Sequence, residues 1–493
     1  MSPDKRRALP RHPLAPALLF WGGATIAGVV PPFSRDALNS HLVLPGLWRQ
    51  HGLLWRDPWL AFTAYPPLAD LPYLLFAHRP WDILASCWHA TGALATLLLL
   101  DRSMRNTGAS DGARRWTALL WSTMPTVVAL CGWAYVDLWL CAATAAAVAV
   151  ITRPTIRAMD GWWLGLALGA ALLIKYNAAA VAIAAWLGIG WRLAPDPRLL
   201  WAVVWRALLT PMLLAGWWYA VNLLQLGGPF YPLGVANPPA IGPVAFRELA
   251  YHEPHWWALL APLRAFFYGE TNNPRLFDGM LTPLPLVALF GWRLRDRRMQ
   301  ALALAALCYL AFAVTTAIRA RYLLPATLFM LPPAMQLLEE SPKRWMRVLL
   351  PAASLAWSLA VDGRYLMWLA PWDYWLHGRD TFLARHLPDY PLQRWAARHL
   401  PRNARLLLIL TGGRGYYLQR DFRFRMGDEG SPPTAAEIRS FDYLLIRQKS
   451  ADRLYDGNPN WRRLRQRLCP VARSGRFTLW RNRPCSDKER PEA

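Results

Sequence analysis

The chain has 493 residues, of which 55% are hydrophobic and only 17% are charged, yet its formal net charge is +24. A soluble protein usually carries about 25% charged residues. This composition excludes an intrinsically disordered chain and argues against an ordinary cytosolic enzyme. It predicts a polytopic membrane protein whose basic residues lie in loops.

Eleven apolar runs predict an all-α membrane domain over 1–362, with about eleven transmembrane helices. Several of these runs are shorter than the roughly 20 residues of a straight span. The runs lie at about 14–30, 83–100, 117–133, 138–152, 161–174, 176–191, 203–224, 280–292, 300–318, 322–338 and 347–361.

Arginine-rich segments between these runs set the expected orientation, because basic loops stay in the cytoplasm. The N-terminus is then cytoplasmic. Two outer loops, 31–82 and 225–279, lie outside the membrane together with the tail 363–493. The apolar stretch 64–77 contains three prolines and Asp70, so we expect it to lie in the membrane interface without crossing. A bacterial inner membrane is the expected location.

The tail 363–493 predicts a small extracytoplasmic α/β domain. Strand-like stretches at 402–410, 441–447 and 475–481 alternate with helix-like stretches at 391–400 and 434–440. The tail is basic but carries no nucleic-acid-binding signature, so membrane lipids and not nucleic acid are the expected partners. The glycine-rich turn at 412–415 is typical of a strand-to-helix connection. A phosphate-binding site at this turn is the alternative.

Two cysteines of the tail, Cys469 and Cys485, lie in polar sequence, whereas the other four lie in apolar runs. The residues between them read as a hairpin that brings the two ends together. In an oxidising compartment a disulfide is expected, with two free thiols as the alternative.

Asp36 stands just after the first apolar run, with His41 five residues further on, and 42–48 reads as an amphipathic helix along the membrane. A carboxylate at this position can act as a general base or hold a metal ion. Alternatively, Asp36 only caps the surface helix.

Asp137 and Lys175 each interrupt apolar sequence on the same expected side as Asp36. An acid at the edge of a span is costly unless it is satisfied, so Asp137 is a functional candidate; a short turn facing water is the alternative. Lys175 is the only lysine between residues 6 and 342. Its ammonium suits a phosphate, or it is a loop cation that snorkels to the interface.

A long apolar run is followed by Arg319, Arg321 and Tyr322. Counting crossings from the cytoplasmic basic loops places this segment outside, although basic residues usually stay inside. Cations at that depth favour a lipid phosphate; an unremarkable basic loop is the alternative. In the loop 225–279, His252, Glu253 and His255 are potential metal ligands, but their spacing fits no strong zinc motif.

The order of these short motifs resembles that of the GT-C-type membrane glycosyltransferases, in the group of protein O-mannosyltransferases and aminoarabinose transferases. The departures are Ala37, where many relatives have Glu after Asp, and Tyr65, where the usual residue before Pro-Pro is Lys. The matching pieces are RDALNSH at 35–41, AYPPLADLPY at 64–73, AYVDLWL at 134–140, LLIKYNA at 172–178, GPFYPLG at 228–234, RYLLPA at 321–326 and GRGYYL at 413–418.

This resemblance implies an inverting hexosyl- or pentosyltransferase that moves a sugar from a polyprenyl-phosphate-linked donor to a glycan, lipid or protein acceptor on the outer face. A lipid or polysaccharide transporter, or a non-catalytic scaffold on the same fold, is the alternative function. No cofactor is predicted, and a divalent metal ion held by Asp36 and Asp137 stays open. The implied roles are Asp36 as catalytic base, Lys175, Arg319, Arg321 and Tyr322 at the donor phosphate, and His41, Asp137 and Glu253 in support.

Overall fold

The chain folds into a mainly helical part followed by a small five-stranded sheet. The structure is a computed structural model. It describes residues 12–236, 238–239, 259–273, 276–315, 319–425 and 432–485.

Each of the eleven predicted apolar runs contains helical structure. The run 117–133 is broken in two because Met124 precedes Pro125 and takes an extended conformation, which a following proline favours. The helices are Ala15–Ala27, Ala85–Asn106, Asp111–Ser122 with Pro125–Cys131, Asp137–Ile151, Asp160–Leu172, Ala178–Leu193, Pro197–Leu226, the 3-10 helix Leu284–Arg293, Arg297–Ala313, Ala320–Glu340 and Met346–Leu369.

Two helical segments of the described chain are long and apolar enough to cross a membrane by length and composition: Trp81–Asn106 and Pro197–Leu226. In Pro197–Leu226 only 22% of the apolar window is buried in the protein. Its Trp201, Met212 and Leu224 are largely exposed. Such an apolar surface is expected to meet lipid. Eleven crossings remain a prediction.

A stripe of glycines joins Asp160–Leu172 to Pro197–Leu226. A Cβ on Gly161 would lie 2.4 Å from the carbonyl oxygen of Val203, and one on Gly165 would lie 2.6 Å from the side chain of Thr210. The two backbones therefore approach each other as in the small-residue packing of membrane helices.

The first outer loop, 31–82, is built of short elements. The π-helical turn Ala37–His41 leads into the helix Leu44–His51, which corresponds to the predicted surface helix at 42–48. The stretch 64–77 begins at the end of the 3-10 helix Ala61–Ala64 and contains one further helical turn, Tyr73–Phe76. That backbone forms no spanning helix, and its place in the membrane interface stays a prediction.

The tail begins with the helices Pro371–His386 and Tyr390–His399 and continues into a sheet of order β2-β1-β3-β5-β4. Strands β1, β2 and β3 are parallel to one another, whereas β5 runs antiparallel to β3 and to β4. The strands are β1 Arg405–Ile409, β2 Asp421–Phe424, β3 Tyr443–Arg447, β4 Cys469–Ser474 and β5 Phe477–Arg481, and the remaining helices are Tyr416–Leu418 (3-10), Ala435–Ile438, Gln448–Leu454 and Pro459–Gln466.

The predicted small α/β domain is therefore present. The predicted boundary at 362/363 falls inside the helix Met346–Leu369. The predicted disulfide is confirmed, because Cys469 and Cys485 are bonded beside the β4–β5 hairpin.

The first outer loop and the tail share one hydrophobic core. Leu44 and Phe62 of the loop are buried together with Leu406, Leu418 and Phe422 of the tail. Arg423 of β2 also pairs with Asp57 of the loop at 2.7 Å. The loop therefore packs against the sheet of the tail as well as continuing from the helical part.

Candidate functional site

Five separate helix ends or turns bring charged side chains together at one end of the helical part. The backbone leaves Ala15–Ala27 and reaches Asp36, Asp137 begins its own helix, and Lys175 lies in the turn between two helices. Asp278 precedes the 3-10 helix Leu284–Arg293, and Arg321 lies in the first turn of Ala320–Glu340.

Asp36 is paired with Arg321 across 285 residues of chain: Nη2 of Arg321 donates to Oδ2 of Asp36 at 2.6 Å. The carboxylate caps no helix, although Asp36 occupies the residue before Ala37–His41. Its backbone N–H donates to the Tyr135 hydroxyl at 3.1 Å. The Asp36 side chain is 28% exposed, so an arriving molecule can reach it.

The charges around Asp36 favour its ionised form. Burial raises the pKa of the Asp36 carboxyl, but the positive charges of Arg321, Arg319 and Arg35 outweigh burial and hold that pKa well below its ordinary value. A carboxylate with so low a pKa is a weak base. Its partner must therefore change before it can take a proton.

Arg321 is the centre of the cluster, with only 4% of its side chain exposed. Besides Asp36, its Nη1 lies 3.7 Å from Oδ2 of Asp137 and its Nε lies 3.7 Å from Oδ2 of Asp278. Its guanidinium also lies against the rings of Tyr135 and Tyr322, at 4.9 and 5.0 Å. Arg321 is thus a shared counter-ion for three carboxylates.

Lys175 pairs with Asp137, since its Nζ donates to Oδ1 at 2.6 Å. Asp137 is 1% exposed, and its place at the first residue of Asp137–Ile151 suits a negative charge at a helix N-terminus. The ammonium also lies 4.6 Å from the centre of the Tyr322 ring. Lys175 therefore points into the cluster, and the snorkelling interpretation does not describe it.

Asp278 was missed by sequence reasoning. Nη1 of Arg319 donates to its Oδ2 at 3.0 Å. Asp278 and the preceding Phe277 both have left-handed backbones, with φ of 51° and 62°, a strained conformation for residues other than glycine that is often found at functional sites. The sequence feature that marks Asp278 is its place next to a glycine, just before an apolar run, at 276–280.

His41 lies one step away from the cluster. Its Nδ1 is 2.7 Å from Oδ1 of Asp70, and its ring lies 5.5 Å from that of Tyr135. It therefore ties the two halves of the first outer loop together. His252, Glu253 and His255 lie outside the described residues.

The two proposed metal ligands are both engaged by cations. Within the described ranges, no group of three or more His, Cys, Asp or Glu side chains is placed to hold a metal ion. An ion bridging Asp36 and Asp137 would have to displace the guanidinium of Arg321, which contacts both. In the structure both carboxylates are held in ion pairs.

The ion pairs of the cluster balance one another. Three carboxylates (Asp36, Asp137 and Asp278) face three cations (Lys175, Arg319 and Arg321), and Arg35 is a further cation beside Asp36. The three paired cations therefore already have anionic partners within the protein. An added phosphate would instead compete with the carboxylates for Arg321 and Lys175.

Comparisons with known proteins add a likeness of fold. No protein-family model matches the chain, and no curated protein matches its sequence significantly. The chain is similar to the crystal structure of ArnT from Cupriavidus metallidurans bound to undecaprenyl phosphate, with a TM-score of 0.60 and 13% identity over 97% of this chain and 98% of that one.

The fold of the chain is also similar to that of an archaeal oligosaccharyltransferase. The oligosaccharyltransferase of Archaeoglobus fulgidus in its apo form has a TM-score of 0.51 at 13% identity, over 87% of this chain and 69% of that one. The same organism's oligosaccharyltransferase AglB, in complex with an inhibitory peptide and a dolichol-phosphate, has a TM-score of 0.51 at 11% identity, over 97% and 75%.

The resemblance inferred from the order of short motifs is thus confirmed at the level of the fold. The helical part and the tail together share the fold of ArnT and of the archaeal oligosaccharyltransferase.

Proposed function

We propose that this chain is an integral-membrane glycosyltransferase that moves a sugar from a polyprenyl-phosphate-linked donor to an acceptor on the outer face of the membrane. The observation that carries the proposal is the cluster of Asp36, Asp137, Lys175 and Arg321 at one end of the helices. The undecaprenyl phosphate on ArnT and the dolichol-phosphate on AglB support a lipid-phosphate donor.

In this proposal the acceptor hydroxyl attacks the anomeric carbon on the face opposite the phosphate. A bond forms from the acceptor oxygen to that carbon, and the bond from the carbon to the phosphate oxygen breaks, which inverts the configuration. The acceptor proton passes to Asp36. The charge left on the lipid phosphate is stabilised by Lys175 and Arg321, in a site poor in water.

An exchange of ion-pair partners makes Asp36 a competent base. In the structure Arg321 is bound to Asp36. A donor phosphate that draws the guanidinium to itself removes this partner and adds a negative charge nearby. Both changes raise the pKa of Asp36 towards a useful range.

The remaining site residues have supporting roles. Tyr322 lies against Lys175 and Arg321 and would keep these cations facing the phosphate. Arg319 binds Asp278 and adds a further positive charge near Asp36. His41, through Asp70, would hold the loop that bears Asp36. Glu253 would add a further polar group from the loop 225–279.

The proposed orientation puts this cluster at the outer face of the membrane. If the site lies at the outer face, the predicted cytoplasmic N-terminus, eleven crossings and external tail are consistent with one another. A bacterial inner membrane, where polyprenyl-phosphate carriers serve the cell envelope, is the proposed location.

The test is to purify the protein in detergent, extract the bound lipid and identify it by mass spectrometry. We expect a polyprenyl-phosphate species enriched over its share in the membrane, and less of it in a Lys175→Ala variant. Bulk phospholipid alone, in the proportions found with an unrelated membrane protein, would contradict the proposal. Bound lipid-linked glycan with no sugar transfer would favour a transporter.

A further inference from the structure

The turn after β1, residues 411–417, reaches from the tail domain to the loop that bears Asp36. Nε of Arg35 donates to the carbonyl oxygen of Gly412 at 3.2 Å. The N–H of Gly415 donates to the carbonyl oxygen of Leu38 at 3.1 Å.

A third hydrogen bond holds the same loop from its other side. The hydroxyl of Tyr417 donates to the carbonyl oxygen of Pro32 at 2.7 Å. Tyr417 is 2% exposed, so water cannot readily replace this bond. The three contacts therefore fix the backbone both before and after Asp36.

The shape of the turn is set within the tail domain. Gly412 and Gly413 have left-handed backbones, with φ of 76° and 73°. A Cβ on Gly413 would lie 2.6 Å from Phe424, and one on Gly415 would lie 2.4 Å from Phe422. The turn is thus packed tightly against β2, and its outward face is presented to the Asp36 loop in one conformation.

Arg35 links the turn to the charges of the site. Its guanidinium is one of the cations that hold the pKa of Asp36 down, after the opposing effect of burial and the larger effects of Arg321 and Arg319. The hydrogen bond to Gly412 anchors this side chain on the tail domain. A shift of the turn would move both the backbone around Asp36 and the Arg35 charge.

We propose that the 411–417 turn is a positioning element of the active site. It acts by holding the loop that bears Asp36 and not by contact with either substrate. This inference rests on the proposed function. It makes the tail domain part of the catalytic unit, since the three hydrogen bonds hold the proposed base in place. Displacement of a reacting group by about 1 Å costs roughly a hundredfold in rate.

The matched test compares Gly412→Ala with Gly457→Ala. Both glycines are in the tail domain and have nearly the same φ, 76° and 79°. A Cβ on Gly412 would lie 3.4 Å from Nε of Arg35, whereas one on Gly457 meets no atom within 4 Å. The two variants therefore share backbone strain but differ in their contact with the Asp36 loop. Tyr417→Phe removes the third hydrogen bond without adding strain.

We expect Gly412→Ala and Tyr417→Phe to lower kcat about 10- to 100-fold, with the KM for the lipid donor little changed. Gly457→Ala should transfer sugar at the wild-type rate. Hydrogen exchange of the amides in 33–41 should quicken in the first two variants and not in the third.

Equal kcat and equal exchange in Gly412→Ala and Gly457→Ala, in an active wild-type background, would overturn the inference. An inactive wild-type protein would instead contradict the proposed function. In that case the exchange measurement still decides whether the turn holds the loop.

Discussion

The guanidinium of Arg321 is shared by Asp36, Asp137 and Asp278. It is almost fully buried, so each carboxylate that loses it would be left in a poorly hydrated place. Charges of this kind are costly to leave alone. A substrate phosphate that binds here must therefore replace an existing contact. Asp36 is the carboxylate that water can reach when the guanidinium leaves, because its side chain is 28% exposed.

This exchange predicts two different pH dependences. In the free enzyme the pKa of Asp36 is held below its ordinary value, so kcat/KM should show no acid limb from this group above about pH 5. In the donor complex the pKa of Asp36 rises, and the acid limb of kcat should lie at higher pH. Measuring kcat and kcat/KM across the same pH range checks this. If the acid limbs of the two profiles fall at the same pH, the exchange of partners is excluded.

Lys175 has two separable roles, which a double substitution distinguishes. Lys175→Ala should lower thermal stability, because buried Asp137 then keeps only the guanidinium of Arg321, at 3.7 Å. It should also weaken donor binding. Adding Asp137→Asn should restore part of the stability but not the donor affinity, and Lys175→Arg should retain part of both. If Lys175→Ala binds the lipid donor as tightly as the wild type, Lys175 has only a structural role.

Most of the cluster could be recognised in the sequence, because a charged residue beside an apolar run is rare. Asp36, Asp137, Lys175 and Arg321 all carry this signal. Asp278 carries it too, but it was overlooked beside the more conspicuous histidines of the same loop. The pairing of these residues could not be predicted, since it depends on how distant helix ends meet.

At the scale of the elements, helix packing depends on particular glycines. Gly165→Ala should lower the melting temperature, because its Cβ would meet Thr210 at 2.6 Å. Gly216→Ala is the matched control, since it lies in Pro197–Leu226 with no atom within 4 Å of its added Cβ. That variant should be neutral or slightly stabilising, as alanine favours the helix. Thermal unfolding in one detergent compares the two, and equal melting temperatures would argue against close packing.

Helices and strands with a strong hydrophobic pattern were predicted from the sequence, and the strands with a weak pattern were not. The apolar runs became helices, and β1, β3 and β5 lie within their predicted stretches. β2 alternates polar and apolar residues but is only four residues long and half charged. β4 contains a proline and does not alternate, so neither stretch gives a strong strand signal by itself. Both form because a neighbouring strand supplies hydrogen bonds, which the local sequence does not reveal.

At the scale of the whole molecule, the loop 31–82 joins the helical part to the tail. It provides Asp36 to the site and also shares a hydrophobic core with the sheet. The predicted division into two separate domains did not anticipate this, because burial across distant segments leaves no local pattern.

The orientation of the whole chain can be tested with reporter fusions. A fusion after residue 485 should be active only outside the cytoplasm, and one within 107–110, between two helices, only inside it. Basic residues flank the second position, as expected of a cytoplasmic loop. A cytoplasmic tail would contradict the outer placement of the Asp36 cluster.

The most direct measurement of the central claim is single-turnover sugar transfer by Asp36→Asn. Asparagine keeps the size of the side chain but cannot accept the proton. With lipid donor bound as in the wild type, transfer should slow by at least about a hundredfold, because general-base assistance is typically worth 10²–10⁴-fold. Near-normal transfer by a well-folded Asp36→Asn protein would contradict the account.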